Sequence, residues 1–123
     1  GIATLEDGPV HARHYGTFPR KIHEYAVEKG VITVEQAIRS MTSLPAEIMG
    51  FEDRGRIAPG QFADLTVVDL EDFRDLSTFT NPHQFPSGVE YVFVNGQKVV
   101  DQGTLTWALP GQVLLPEWSE GTD

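Results

Sequence analysis

The sequence predicts an α+β fold, helical over its first half and built of strands over its second. Between residues 17 and 50 apolar side chains recur at helical spacing, with stop signals at Gly30 and Gly50. Past residue 60 the pattern shortens: Ala63–Asp69 is a β-branched run, and Val89–Val94 and Gln97–Asp101 alternate on either side of Asn95-Gly96. An Asn-Gly pair between two alternating runs predicts a hairpin with a type I′ turn, because both central residues need positive φ and these two tolerate it.

The chain opens on its densest chemical stretch. Glu6–Arg20 gathers Glu6, Asp7, His11, His14, Arg13, Arg20 and Tyr15, punctuated by Gly8, Pro9, Gly16 and Pro19, which favour loop over helix. Asp7 has the chemistry of a general base or a metal-proximal carboxylate, His11 and His14 that of proton carriers, and Arg13 that of a two-pronged carboxylate grip. His11 and His14 also stand at the spacing of a metal pair, and the same residues are compatible with an ordinary polar surface loop.

Residues 17 to 30 predict an amphipathic helix with Thr17 as N-cap, Phe18, Ile22, Tyr25 and Ala26 on its buried face, and Gly30 as its end. A second helix starts at Thr33 and Gln36, which form a T-x-x-Q capping box, and buries Ala37, Ile38 and Met41. A third has Ser43 as cap, Pro45 in its first turn, Ile48 and Met49 facing inward, and Gly50 closing it. Phe51–Gly60 is charged and Gly/Pro-punctuated, and Leu70–Gly88, with Pro82 and Pro86, reads as irregular. After the hairpin, Leu105, Trp107, Leu109, Val113, Leu114 and Leu115 are expected to pack against it, and Glu117–Asp123 reads as a polar tail. His23 and His83 read as surface or packing residues. A hairpin plus one strand leaves open sheet edges, so the sheet is expected to lack neighbours.

Composition narrows the function classes. The 123 residues are 40% hydrophobic and 22% charged, as in a globular domain, and the formal net charge of −9 argues against nucleic acid and anionic membrane surfaces as partners. There is no cysteine, hence no disulfide framework and no thiolate nucleophile, which suits a cytoplasmic protein. No apolar run approaches the roughly 20 residues of a membrane span, and no signal peptide is legible at the N-terminus. A chain that starts at Gly1, directly ahead of its busiest segment, is expected to be a truncated or processed piece.

In order and spacing, these landmarks resemble the C-terminal end of a metal-dependent amidohydrolase. The pieces that carry the resemblance are Asp7-Gly8, His11-Ala12-Arg13, Tyr15-Gly16-Thr17-Phe18-Pro19-Arg20, Met41-Thr42-Ser43-Leu44-Pro45-Ala46, Asp53-Arg54-Gly55-Arg56-Ile57, Pro59-Gly60, Ala63-Asp64-Leu65-Thr66-Val67-Val68-Asp69 and Val94-Asn95-Gly96. The run Asn81-Pro82-His83-Gln84-Phe85-Pro86-Ser87-Gly88-Val89-Glu90-Tyr91-Val92 favours the D-aminoacylase branch, the N-acyl-D-amino-acid deacylases.

The resemblance implies an α+β fragment: the closing helices of a TIM-like amidohydrolase barrel, followed by part of a small β-sandwich containing the Asn-Gly hairpin. Residues 1–50 would carry the last barrel strand, active-site loop and closing helices, residues 51–116 part of the sandwich, and residues 117–123 a tail. Asp7 would sit at the C-terminal end of the last barrel strand as the catalytic proton carrier. Arg13 would bind the carboxylate of the acylated amino acid, with His11 and Tyr15 on the same substrate-binding side. Glu6 departs from the small residue that usually precedes the Asp-Gly pair. The family's N-terminal H-x-H motif and its other metal ligands have no counterpart here, so zinc is expected in the complete parent enzyme and none on this chain alone, which is then not catalytically competent by itself. The implied partners are a small N-acyl amino acid and either the missing N-terminal barrel or a second copy of the chain. Two other readings stand beside this one: a non-catalytic, self-associating αβ module, and a parent acting on cyclic amides, as in dihydropyrimidinase-like relatives.

Overall fold

The computed structural model describes residues 10–115. Asp7, Glu6 and Trp118, and with them the expected active-site carboxylate and the polar tail, lie outside the described residues. The chain divides into two compact units, one formed by residues 1–37 with 68–89 and the other by 38–67 with 90–123.

In the first unit, helix α1 spans Arg13–Arg20 and runs directly into a π-helical stretch, Lys21–Glu28. The helix therefore begins four residues ahead of Thr17. That threonine is not an N-cap; it sits inside the helix with its hydroxyl donating to the Arg13 carbonyl at 2.6 Å. Ala12 occupies the cap position without a side-chain hydrogen bond. Pro19 lies within α1 and is buried there. Having no N–H, it removes one rung from the α ladder, and the wider turns start two residues later. Their width shows at the end of the stretch, where the Lys29 N–H reaches the Glu24 carbonyl at 3.0 Å. Ile22 and Ala26 are buried as the spacing predicts, but Phe18 and Tyr25 are exposed. The reason is geometric: a helix that starts at Arg13 and then widens no longer keeps those four residues on one stripe.

Helix α2, Val34–Arg39, opens on the expected capping box, with the Thr33 N–H donating to Gln36 Oε1 at 2.9 Å and the Gln36 N–H to Thr33 Oγ1 at 3.1 Å. Glu35, in the same turn, has its carboxyl held below its ordinary value by its own backbone N–H and by the Thr33 hydroxyl. The long connection that follows the first strand closes on itself within the first unit. The Asp69 N–H donates to the Gly88 carbonyl at 2.9 Å, Arg74 bridges to Ser87, and Phe73 is buried.

The second unit holds α3, Ser43–Met49, and, except for Val68 and Val89, a four-stranded sheet: β1 Leu65–Val68, β2 Val89–Val94, β3 Gln97–Asp101 and β4 Thr104–Leu105, in the order β1-β2-β3-β4. Ser43 is the first residue of α3 rather than its cap, a position held by Thr42, and Gly50 closes the helix. β2 and β3 are antiparallel, with Val94 opposite Gln97 and the connection made by Asn95 (φ 49°) and Gly96 (φ 76°). Gly96 fits that left-handed position at no steric cost. The register steps by one residue between Val92 and Phe93, leaving Val99 outside the pairing, and its carbonyl accepts the Thr106 N–H at 3.0 Å instead. The turn is tied to the chain ahead of β1: the Asn95 N–H donates to Asp64 Oδ1 at 2.7 Å and the Gly96 N–H to the Ala63 carbonyl at 3.0 Å. Arg54 secures the same carboxylate at 2.7 Å and stacks 4.7 Å from the Phe62 ring centroid.

Several residues expected inside are outside. Ile38, Ile48, Met49, Trp107, Leu109, Val113 and Leu115 are exposed, Leu109 at 93%. Besides Phe73 and Pro19, six apolar residues of the described chain are buried, and four of these are alanines, so the buried interior offers little surface for the larger side chains to pack on. Among the described residues no helix is long and apolar enough to cross a membrane.

Candidate functional site

The His11–Arg20 segment builds its site by folding into the first turn of α1. The His11 carbonyl accepts the His14 N–H at 3.0 Å, while the Arg13 N–H donates back to His11 Nδ1 at 3.1 Å. That bond requires an unprotonated Nδ1 and fixes the His11 ring beside the arginine. The ring also meets the edge of Phe79, with centroids 5.2 Å apart and planes at 89°. Arg13 is exposed, and among the described residues no carboxylate lies within ion-pair distance of its guanidinium.

Around Arg13 the first unit forms a pocket of about 940 Å³. Arg13, Arg20, Lys21 and Lys29 contribute cations to its lining, and Asp75 is the lining acid. Apolar contributions come from Tyr25, Ile32 and Phe79. In a chain of net charge −9, a wall with that balance suits an anion carrying an apolar part. At the rim, Lys29 pairs with Glu24 at 2.6 Å. This hydrogen bond holds the Glu24 carboxyl below its ordinary value and the Lys29 ammonium above its own.

Tyr15 is placed differently from Arg13. It is 8% exposed, with its hydroxyl 3.4 Å from His83 Nδ1 and its ring against those of His83 and Phe85, at centroid distances of 5.9 and 5.5 Å. His11 and Arg13 thus share the pocket wall, and Tyr15 lies in the packing beneath. His14 is exposed. Among the described residues no three His, Asp or Glu side chains converge into a group that could hold a metal ion.

Two residues of this site went unnoticed in the sequence. Asp75 has its side chain 7% exposed and pairs with Arg20 at 2.7 Å, and its Oδ1 accepts the Ser77 N–H at 2.7 Å. Phe79 reaches His11 from the same loop. A signal for the first was present: Gly16 inside a helix costs about 1 kcal/mol relative to alanine, and such a glycine marks a close approach. A Cβ on Gly16 would overlap the Asp75 carboxylate.

Comparison with known proteins gives consistent relatives. The profile described as "Amidohydrolase family" matches residues 9–100. An N-acyl-D-glutamate deacylase of Alcaligenes xylosoxydans xylosoxydans is 38% identical over 108 residues, covering 88% of this chain and 22% of that protein. Among solved structures, a D-aminoacylase mutant in complex with CuCl2 superposes with a TM-score of 0.83 at 37% identity, over 85% of this chain and 22% of the other. The N-acyl-D-glutamate deacylase of Bordetella bronchiseptica, complexed with zinc and a phosphonate inhibitor, superposes at 0.71 with 35% identity, over 86% and 21%. The chain thus spans about a fifth of the length of the curated relatives it matches.

Proposed function

The chain belongs to the amidohydrolase family, and from that premise we propose that it forms the carboxylate-binding end of a hydrolase acting on the amide bond of N-acyl-D-amino acids. The observation that carries this reading is Arg13: an exposed guanidinium without a carboxylate partner among the described residues, on a pocket wall with three further cations. Its planar fork matches a carboxylate with two parallel hydrogen bonds. His11 holds the Arg13 backbone, and Tyr15 supports the turn from beneath. Asp7, six residues ahead of Arg13, moves the proton: water adds across the amide, the acyl carbon takes the hydroxyl, and the proton goes to the departing nitrogen.

The metal of this reading belongs to donors beyond the described residues, since those described do not form a site. The assignment of residues 1–50 to the end of a catalytic barrel, and of 51–116 to part of a β-sandwich, rests on the same premise. The experiment is an assay of N-acetyl-D-amino acids with zinc, run on the complete protein that carries this chain and on the chain alone. Turnover by the complete protein and none by the chain is the expected result. Turnover of cyclic amides instead, or of L- and D-substrates alike, would overturn the substrate assignment.

A second reading has an observation of its own. Phe18, Val31, Ile48, Ile57, Leu109 and Val113 are each at least half exposed, and apolar surface of that kind drives association. It supports self-association of the isolated chain, with or without catalysis in the larger protein.

A further inference from the structure

The first turn of α1 carries Arg13, and the residue at its cap position, Ala12, offers no side-chain hydrogen bond to hold it. The side-chain acceptor for the first amide comes from one residue further back, where His11 Nδ1 takes the Arg13 N–H. What holds the His11 ring and the turn in place comes from the loop between Asp72 and Gly88. Asp75 lies in the space left by Gly16 and pairs with Arg20 at the far end of α1. Its Oδ1 also accepts the Ser77 N–H, and Ser77, 1% exposed, donates its hydroxyl to the Pro82 carbonyl at 2.6 Å. The loop is thereby folded on itself and tied at its base. From it Phe79 reaches the His11 ring, and His83 and Phe85 cover Tyr15. One buried carboxylate anchors the loop that touches the turn on both sides of Arg13.

We propose that Asp75 is a positioning residue for Arg13, acting through Arg20 and the 72–88 loop to hold the first turn of α1 in place. In its functional part this rests on the carboxylate-binding reading above. Asp75 does not touch the substrate; it determines whether the arginine is waiting in one geometry or in many. An Arg13 on a frayed turn must be ordered when substrate binds, which weakens binding and leaves the chemical step alone.

The test uses Asp75→Asn, which keeps the side-chain shape and removes the charge, with Arg20→Ala as a second way of cutting the same pair and Arg20→Lys as its conservative rescue. Amide hydrogen exchange on this chain reads the turn directly, at the Tyr15 and Gly16 N–H groups that donate to the Ala12 carbonyl. Exchange there should quicken by about tenfold in Asp75→Asn and Arg20→Ala, recover in Arg20→Lys, and stay unchanged in the β2–β3 ladder of the second unit. In the complete protein, KM for an N-acyl-D-amino acid should rise about tenfold, with kcat within about twofold. Unchanged exchange at Tyr15 and Gly16 would overturn the proposal. So would quickened exchange with unchanged KM, which would make Asp75 merely structural. If the wild-type protein does not turn over these substrates, the deacylase reading fails, and the exchange data alone still decide whether Asp75 holds the turn that carries Arg13.

Discussion

Gly16 is glycine because Asp75 occupies the space a side chain would need. Gly16→Ala therefore has to displace a carboxylate that is paired to Arg20 and nearly closed off from water. Overpacking of this kind costs about 1–3 kcal/mol, and we expect a loss of that size in the urea midpoint; a midpoint equal to wild type would mean that the loop yields freely. The residues of this neighbourhood were unequally legible in the sequence. His11 and Arg13 sit two positions apart and stand on one pocket wall, so their association is local and readable from spacing. Asp75 is separated from Arg20 by more than fifty positions, and nothing in a periodic pattern reports such a pairing. Tyr15 looked like a neighbour of Arg13 because the sequence is linear, whereas the helix turns it towards His83 and Phe85.

Among the elements, those with local causes were the readable ones. The Thr33–Gln36 box forms both of its hydrogen bonds because cap and acceptor lie three residues apart, and the Asn95-Gly96 connection follows from a φ requirement that few residues meet. Thr33→Ala should cost about 1 kcal/mol, measurable as a fall in helical circular dichroism and in the unfolding midpoint. The start of α1 was misread because Gly16 and Pro19 count against helix locally, and contacts from a distant loop outweigh them. The widened stretch after α1 has a pH signature. Glu24 and Lys29, five residues apart, pair at 2.6 Å. The Glu24 carboxyl lies below its ordinary 4.5, so its contribution is present above that pH and lost as pH falls. The Lys29 ammonium lies above its ordinary 10.5, so its contribution is present below that pH and lost as pH rises. Lys29 is exposed and Glu24 only partly covered, which keeps the effect small and salt-sensitive. Glu24→Gln should lower the unfolding midpoint slightly at pH 7 in low salt and by less as the pH falls below 4.5; an equal change at all pH values would remove the charge from the explanation.

For the molecule as a whole, the first fact is a shortage of interior. Among the described residues, the buried apolar side chains other than Tyr15, Pro19, Ile22 and Phe73 are alanines, while large side chains stand exposed in both units. Tertiary reach explains why this was not legible: spacing identifies a stripe of apolar residues but not the surface that will cover it. The isolated chain should therefore form dimers or larger species, with a light-scattering mass that rises with concentration, and a concentration-independent monomer would contradict that expectation. The family relation, the cationic pocket and the exposed arginine support the proposed reading, in which this chain supplies the carboxylate grip of an N-acyl-D-amino-acid deacylase. The most direct measurement compares kcat/KM of the complete protein for an N-acetyl-D-amino acid and for its neutral carboxamide, in wild type and Arg13→Ala. We predict that the variant loses about 100-fold on the acid, largely through KM, and little on the carboxamide, so that the preference for the acid disappears. An Arg13→Ala protein that still prefers the acid as strongly as wild type would contradict the account.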